Sequence, residues 1–338
     1  NTTAGAITVT LPASPSAGDV VAVSDYANIF ATNNLTLARN GSNIGGVAAD
    51  SVLVVNGAAV TLVYVDATKG WIVTDSGLQS DASELKLYIA ATGGTITEDG
   101  DYKVHTFTGP GTFCVSCAGN AAGSNTTDYM VVAGGGSGGN DAGGGGGAGG
   151  FREGYNPGSY TASPLATTAL PVSATGYSIV VGSGATNPGS PQSAGTQGSN
   201  SSFSTIISTG GGGGGFPGAG GPGGSGGGGH GGSGAAGAAT ACQGNAGGAG
   251  TGSSPAAGGG GAGSVGGNGP GGVGGNGVTT SINASPVTRA GGGGGGNNCS
   301  APVGGAGGSG GGGAGAARGS GAAGSGTVNT GGGGGGSG

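Results

Sequence analysis

The sequence DYMVVAGGGSGGNDAGGGGGAGG at residues 128–150 marks the point at which a β-rich sequence turns abruptly into glycine. The same transition recurs three times along the chain, each time as apolar, β-branched residues, then one or two small residues, then a glycine run. The recurrences are STIISTGGGGGG at 204–215, SPVTRAGGGGGG at 285–296 and GTVNTGGGGGG at 326–336. A tract that restarts in the same way indicates a repeated architecture.

Composition argues against several classes of function. Glycine accounts for 98 of the 338 residues, and only 6% of residues are charged. The chain contains seven Lys and Arg residues in all, so it lacks the clustered positive charge that nucleic-acid binding requires. No stretch of the sequence is long and apolar enough to span a bilayer. We therefore expect no nucleic-acid partner and no membrane insertion.

Residues 1–75 predict a small all-β domain. Six short segments rich in Val, Thr and Leu are separated by turn residues, as strands usually are. The segments are 6–11, 19–23, 35–39, 51–55, 59–64 and 70–74. Six strands at this spacing predict a sandwich or barrel-like unit, in which Trp71 and Tyr64 are the largest core side chains.

Residues 76–93 are predicted to be a connector between this domain and a second β-rich region. Within it, 80–91 is the one plausible helix, since Ser80 or Asp81 could cap it. A strand or an extended linker is the alternative for the same residues. From 94 to 133 the β pattern returns, and this segment leads into the glycine-rich part. Its predicted strands are 95–97, 101–108, 112–116 and 127–133.

The glycine runs of residues 134–338 admit two interpretations. Glycine-rich chains often behave as flexible linkers, because glycine loses the most conformational freedom on folding. The repeated restarts and the scarcity of charge favour a folded alternative, an extended helix with three residues per turn and about 3.1 Å rise per residue. Neighbouring helices would then pair one another's backbone N–H and C=O groups. We therefore predict a polyglycine-II sandwich with little or no α-helix.

No catalytic or metal-binding constellation is visible in the sequence. The two histidines, His105 and His230, have no partners arranged as a nucleophile, base and acid would be. Cys114 and Cys117 form a C-x-x-C, but no second pair completes a zinc site. G-x-G-x-x-G matches are frequent and lack a β-α-β context. We therefore predict no catalytic residue, no metal ligand, no cofactor and no enzymatic activity.

Three strings carry a resemblance to a known family. They are DYKVHTFTGPGTF at 101–113, GNAAGSNTTDYMVVAGGG at 119–136 and GGGGGAGGFREG at 143–154. Together with the front segment ITVTLPASPSAGDVVAVSDYANIF at 7–30, the chain resembles the glycine-rich tail-fibre and adhesin proteins of bacteriophages, especially marine and cyanobacterial ones. Members of that family often end in a further strand after the last glycine run, and this sequence stops before one.

The resemblance implies a function and a location. Such proteins are extracellular parts of the virion, and they recognise a protein or glycan on the bacterial surface through loops displayed on a polyglycine-II sandwich. They are usually trimers, so the resemblance also implies a homotrimer. The loops that fall between the glycine runs are 151–160, 216–222, 240–245, 297–303 and the neighbourhood of His230. Within 151–160, Phe151 and Arg152 are expected to seal the edge of the lattice.

By analogy with these adhesins, we expect receptor contact at the polar and aromatic residues of the loops. They are Tyr155, Asn156, Phe216, His230, Gln243, Asn245, Asn297 and Asn298. The alternative for each is an ordinary surface residue, because scattered surface aromatics are common. Cys242 and Cys299 lie in two separate loops, where they could form a disulfide or stay free thiols.

A second function class is a self-assembling extracellular filament or matrix subunit, in which the glycine lattice is itself the product. An unpaired sheet edge could recruit another chain and so propagate a filament. An ice-binding protein is a weaker option, because it predicts a regular Gly-X-X spacing that the homoglycine runs lack.

Overall fold

The computed structural model describes residues 1–78, 86–121, 123–189, 192–252, 256–298, 303–319 and 322–338. Across these ranges the chain forms strands β1 to β20 and no helix, which confirms the predicted all-β class. It divides into two compact units, Asn1–Leu85 and Lys86–Gly338.

The first unit contains the six strands predicted for it. They are β1 (Ile7–Thr10), β2 (Val20–Ser24), β3 (Leu35–Ala38), β4 (Ser51–Leu53), β5 (Ala58–Asp66) and β6 (Gly70–Leu78). They form two three-stranded sheets, with orders β1-β3-β4 and β2-β5-β6. Leu37 from one sheet and Leu62 from the other are buried in a single core with Trp71, which is 0% exposed. Tyr64 is half-buried and packs edge-on against Trp71 at 5.5 Å between ring centroids, so both aromatic residues predicted for the core contribute to it.

The turn that follows β2 is organised by one buried carboxylate. Asp25 Oδ2 accepts backbone N–H groups from Ile29 at 2.7 Å, Phe30 at 2.9 Å and Gly57 at 3.0 Å. Burial acts to raise the pKa of Asp25, but the hydrogen bonds from Phe30, Gly57 and Ile29 outweigh it and hold the pKa below its ordinary value. The same hydrogen bonds fix Phe30 in the core.

The helix considered for 80–91 does not form where the structure describes it. Residues 79–85 lie outside the described part of the chain, and Ile89–Thr92 is a strand, β7. This strand pairs antiparallel with β10 (Gly111–Ala118), with Ala118 opposite Ile89. Pairing with a distant strand therefore prevails over the local helical pattern.

The strands of the second unit lead into the glycine runs at 134, 210 and 291, whereas a turn precedes the run at 331. Besides β7 and β10 they are β8 (Thr95–Asp99), β9 (Tyr102–Thr106), β11 (Thr126–Thr127), β12 (Tyr129–Val132), β13 (Phe151–Tyr155), β14 (Ala166–Thr168), β15 (Leu170–Pro171), β16 (Gly176–Val180), β17 (Ser201–Phe203), β18 (Ile206–Ser208), β19 (Val278–Thr280) and β20 (Val287–Arg289). The larger sheets have orders β18-β17-β16-β10-β7 and β12-β13-β14. Phe203 packs edge-on against Phe113, Tyr129 and Tyr177, so both sheets share one aromatic core.

The glycine runs are extended segments, here called rods, and the central rod is 143–150. Its N–H groups select their partners with a period of three residues, and the hydrogen bonds are 2.7–3.1 Å long. Gly143, Gly146 and Gly149 donate to rod 331–337; Gly144, Gly147 and Gly150 donate to rod 209–215; Gly145 and Ala148 donate to rod 256–263. A three-residue period without internal hydrogen bonds is the geometry of polyglycine II.

The carbonyl groups of the central rod face three further rods. Its carbonyl oxygens accept N–H groups from rods 134–139, 225–229 and 291–296. The six neighbours are also bonded to one another in a closed ring, in the order 134–139, 209–215, 225–229, 256–263, 291–296 and 331–337. The rods therefore pack as a hexagonal lattice, and the predicted polyglycine-II sandwich is confirmed. The three later glycine runs identified in the sequence are three of these six neighbours.

The absence of side chains makes this packing possible. A Cβ on Gly145 would overlap the carbonyl oxygen of Gly293, and a Cβ on Gly293 would overlap that of Gly334. Alanine is accepted where the lattice meets the sheets: Ala148 and Ala262 are buried there in an apolar cluster with Phe151. Phe151 is 0% exposed, in agreement with its predicted role at the edge of the lattice.

Candidate functional site

The rods have two chemically different ends. The chain enters rod 134–139 from β12 and leaves the central rod into β13, so strands cover one end, here called the sheet end. At the other end, here called the turn end, a hydrogen bond from Gly139 N to Gly144 O closes the turn 140–142. The bond from Gly144 N to Gly215 O brings the turn after Gly215 to the same end.

An aromatic pair lies at the turn end. The rings of Phe216 and His230 meet edge-on with centroids 5.0 Å apart, although each belongs to a different turn. His230 Nδ1 accepts the N–H of Gly232 at 3.1 Å, and Gly231 N donates to Ala142 O at 3.4 Å. Both rings are partly exposed. The lattice thus holds two neighbouring rings at a fixed distance and leaves one edge of the pair open to solvent.

An amide and carboxylate network lies beside this pair. Asn140 and Asn187 exchange side-chain hydrogen bonds of 3.1 and 2.9 Å. Asp141 accepts Asn298 Nδ2 at 2.9 Å on one oxygen and Gln192 Nε2 at 3.2 Å on the other. Asp141 has a positive φ of 54°, a backbone conformation that L-residues rarely adopt. The five side chains come from three separate segments of the chain and form one polar surface.

Asn297 also lies at the turn end but its side chain is buried, at 3% exposure. Its Nδ2 donates to Val303 O at 3.1 Å, and its carbonyl oxygen accepts the N–H of Arg318 at 2.8 Å. Asn297 therefore holds two turns together, whereas Asn298 faces the network described above.

The other four residues predicted for receptor contact lie at the sheet end. Asn156 donates its backbone N–H and its Nδ2 to Asp128 Oδ1 at 2.8 and 2.9 Å, and Tyr155 packs edge-on against Tyr160. Gln243 is 3% exposed and accepts Thr209 N at 2.7 Å.

Asn245 completes this group, since its Nδ2 donates to Gly261 O at 3.0 Å and Ala262 O at 2.9 Å. Gln243 thus fixes the start of rod 209–215, and Asn245 fixes the end of rod 256–263, both at the sheet end. The structure therefore does not bring the eight predicted residues together: Phe216, His230, Asn297 and Asn298 lie at one end, and the other four at the opposite end.

Sequence reasoning missed four residues of the network, Asn140, Asp141, Asn187 and Gln192. A signal for the first two was available, because they interrupt the first glycine tract with two polar residues that favour turns. Asn187 and Gln192 lie in a segment without a long glycine run, and only the fold brings them to the turn end.

A buried carboxylate lies at the sheet end, in a part of the chain with few charges. Glu153, 1% exposed, accepts Tyr160 OH at 3.0 Å, Ser163 N at 2.9 Å and the hydroxyl of Thr280. Burial and then the charge of Glu153 raise the pKa of Tyr160. Burial lowers the pKa of Arg289, and the charge of Glu153 opposes that effect. These contacts link β13 to β19 and β20 at the base of rod 291–296.

The disulfide considered between Cys242 and Cys299 is not formed at Cys242, which is a free, exposed thiol. It lies in the sheet-end turn beside Gln243, whereas Asn298 lies at the turn end. Cys299 itself is outside the described residues. In the sequence, both loops simply follow glycine-rich segments, so nothing shows that they lie at opposite ends of the lattice.

Within the described part of the chain, no group of three His, Cys, Asp or Glu side chains is close enough to hold a metal ion. The same residues contain no helix of the length and apolarity that would let it cross a membrane.

Comparison with protein families identifies a glycine-rich domain. A family model described as a glycine-rich domain matches residues 108–338, about two thirds of the chain. No curated protein matches the sequence.

Proposed function

We propose, on the premise that the chain belongs to the glycine-rich domain family, that it is a bacteriophage tail-fibre or adhesin component. In this proposal it recognises a protein or glycan on the bacterial surface through the turn end of its lattice. The observation that carries the proposal is the Phe216–His230 ring pair and the Asp141 network, both at the turn end of rods that are hydrogen-bonded to one another.

The chemistry of the turn end fits a polar, weakly charged ligand. Amide groups of Asn140, Asn187 and Gln192 donate and accept hydrogen bonds, and the ring pair offers a flat apolar edge. Asp141 and Arg318 are the charged residues of the described turns at this end. A rigid surface also loses little conformational entropy on binding, which favours affinity from a small contact area.

The direction of the chain supports the choice of end. The first rod follows β12 directly, so the chain enters the lattice at the sheet end. The proposal therefore assigns host contact to the turn end. The virion location, the extracellular setting and a homotrimeric state belong to the same proposal and are supported by the family resemblance described above.

A binding assay with matched variants at the two ends tests the proposal. Phe216→Ala and His230→Ala are expected to abolish adsorption of the labelled protein to bacterial isolates that bind the wild type. Tyr155→Ala and Asn298→Ala complete the set: the first lies at the sheet end and should bind normally, while the second should bind weakly. Amide hydrogen exchange of Gly145 and Gly146 checks that the lattice is intact in each variant. Normal adsorption by the Phe216 and His230 variants would reject the turn end as the recognition surface.

The alternative, a self-assembling filament or matrix subunit, makes a different prediction. Open-ended fibrils that grow with protein concentration, seen by electron microscopy together with no host-selective adsorption, would favour it over an adhesin. Discrete particles of one size with selective adsorption would favour the adhesin.

A further inference from the structure

Two thiols lie on the five-stranded sheet of the second unit. Cys114 and Cys117, the C-x-x-C of the sequence, both belong to β10. Both are free thiols, and Cys114 is exposed while Cys117 is half-buried. Residues three apart in a regular strand point to opposite faces of the sheet. A regular strand would therefore keep these two thiols apart.

An irregularity in β10 changes this arrangement. Cys114 lies opposite Thr92 of β7, and Cys117 lies opposite Ala90. Three steps along β10 therefore match two steps along β7, and the extra residue forms a β-bulge between Val115 and Cys117. Directly opposed residues of an antiparallel pair lie on the same face of the sheet. Thr92 and Ala90 are both exposed and two residues apart, so they share a face, and the two cysteines share it with them.

The residues beside the two thiols are small. On the side of β16, Cys114 lies opposite Gly176, which has no side chain. On the side of β7, the opposed residues are Thr92 and Ala90. Ser116 donates its hydroxyl to the carbonyl oxygen of Ala90 at 3.1 Å, so this hydroxyl is directed towards the backbone of β7. The strand positions paired with the two cysteines thus leave the thiols accessible.

The pairing also sets the separation of the two thiols. Two residues of β7 span about 6.4–6.8 Å, so the Cα atoms of Cys114 and Cys117 are about that far apart. Side chains on one face of a strand stand roughly parallel, so the Cβ atoms remain about as far apart as the Cα atoms. A disulfide needs Cβ atoms within about 4.5 Å of each other. An ion bonded to both sulfur atoms at about 2.3 Å fits better, because the sulfur atoms then need to be only about 4.6 Å apart.

The ligand set selects the kind of ion. Within the described part of the chain, no third His, Cys, Asp or Glu side chain completes a site with these two. His105 instead packs edge-on against Phe113, with ring centroids 5.0 Å apart, and Phe113 lies on the buried face of β10. Structural zinc requires four ligands, and calcium and magnesium require oxygen ligands. Soft thiolates favour Cu(I), for which two ligands in a line are sufficient.

We propose that Cys114 and Cys117 form a binding site for one Cu(I) ion on the exposed face of the five-stranded sheet. Each thiol loses its proton and each thiolate forms one bond to the metal. Two protons are therefore released for each ion bound, and copper stays in the +1 state. The β-bulge supplies the geometry, because it holds two sulfur atoms of one strand within reach of a single ion. The site lies away from the turn end, since β10 shares its aromatic core with β12 at the sheet end.

A competition titration measures the site directly. Cu(I), supplied without oxygen as its bicinchoninate complex, should transfer to the fully reduced, full-length protein with one ion per chain. Cys242→Ser/Cys299→Ser is the control, because it keeps only the two cysteines of β10 and should bind equally tightly. Cys114→Ser and Cys117→Ser, each made in that background, should bind at least about 10²-fold more weakly, since joining two contacts raises affinity by about that factor or more.

A displaced cysteine tests whether the shared face is needed. Ala118 lies opposite Ile89 of β7, one position beyond Ala90, so it points to the other face of the sheet. The variant Cys117→Ser/Ala118→Cys keeps two thiols on β10 but places them on opposite faces, and it should bind as weakly as Cys117→Ser. Circular dichroism checks that each variant is folded. X-ray absorption of the wild-type complex should show two sulfur neighbours around copper.

Four results would overturn the proposal. No transfer of Cu(I) to the wild type would reject the site, and equal binding by the single Cys114 and Cys117 variants would place copper elsewhere. Full affinity of the Cys117→Ser/Ala118→Cys variant would show that the bulge does not create the site. Three or more protein donors around copper would replace the two-coordinate site with a different one.

Discussion

The N–H of Gly146 donates to the carbonyl oxygen of Gly334 at 2.8 Å. The second rod of the chain therefore lies against the last rod that the structure describes. The central rod is completed by segments from the whole length of the glycine-rich unit, so the lattice is one cooperative structure and not a row of independent repeats. Its stability should respond to single changes at very different positions in the sequence.

Gly293→Ala should destabilise the lattice, whereas Gly334→Ala should not. The new methyl group at 293 would overlap the carbonyl group of Gly334, while one at 334 would find its nearest neighbour, Gly138 N, at 3.5 Å. Overpacking of this kind costs about 1–3 kcal/mol or more. Thermal unfolding followed by circular dichroism checks the pair. Equal stability of the two variants would contradict the packing described for rod 291–296.

Removal of residues 331–338 should expose the central rod. Gly143, Gly146 and Gly149 donate to Ser337, Gly334 and Gly331, so a chain ending at residue 330 leaves all three N–H groups without partners. Amide hydrogen exchange should accelerate at these three glycines by a larger factor than at Gly144 and Gly147, whose partners in rod 209–215 remain. Uniform acceleration along the central rod would mean that the loss spreads through all six neighbours.

Glu153→Gln should destabilise the sheet end and change the titration of Tyr160. The variant removes the negative charge that opposes the burial of Arg289 and that helps to raise the pKa of Tyr160. Glu153 accepts hydrogen bonds from Tyr160 and Ser163, and a hydrogen bond to a charged group contributes about 1.5–3 kcal/mol. We expect a loss of about that size, because the glutamine amide keeps one acceptor oxygen but carries no charge. Thermal unfolding of the variant measures the loss.

The pH dependence of Tyr160 has a definite sign. Its folded pKa lies above the ordinary value of 10.0, so its contribution to stability is complete below pH 10.0 and is lost as the pH rises above that value. When the pH is raised from neutral to alkaline, Tyr160→Phe should lose less stability than the wild type. Identical alkaline profiles for the two proteins would show that Tyr160 does not titrate in this way.

Asp25→Asn should remove an acid-sensitive part of the stability of the first unit. The folded pKa of Asp25 lies below its ordinary value of 3.8, so its contribution is present above pH 3.8 and is lost as the pH falls through the lowered value. Trp71, the single tryptophan of the chain, is buried in this unit and its fluorescence reports the unfolding. Asp50→Asn is the control, because Asp50 is exposed and, in the described part of the chain, accepts a hydrogen bond only from Arg39 N. If the variant and wild type lost stability in parallel at low pH, Asp25 would not be the group responsible.

The sequence predicted the strands of residues 1–75 and 94–133 and the homoglycine rods. It placed β13 in a loop, gave no prediction for β14 to β16, and did not show which rods are neighbours. Periodic β-branched residues identify strands, and homoglycine runs identify the inner rods. One glycine run carries no side chain by which another could distinguish it, so nothing in the sequence assigns 331–337 to Gly146 rather than to Gly213. The outer rods were missed as rods: in 231–239, only Gly231, Gly234 and Gly237 are buried, and the residues between them are exposed.

The same gap explains the mixed set of predicted contact residues. Successive rods run in opposite directions, so the end at which a turn lies depends on how many rods precede it. The rods 234–239 and 245–250 contain no long glycine run and were not counted. Gln243 was therefore grouped with Phe216, although a rod's length separates the two ends of the lattice, roughly 19 Å for six residues.

The three-residue rotation of partners also constrains how such a chain can change in length. One glycine inserted into the middle of 143–150 would turn the rest of the rod by a third of a turn, so each later N–H would face the wrong neighbour. Three inserted residues would restore every facing and only lengthen the rod by one turn. Insertions and deletions inside the rods should therefore occur in multiples of three residues, whereas the turns can change length by any number of residues. The lattice thus restricts each rod to changes of whole turns.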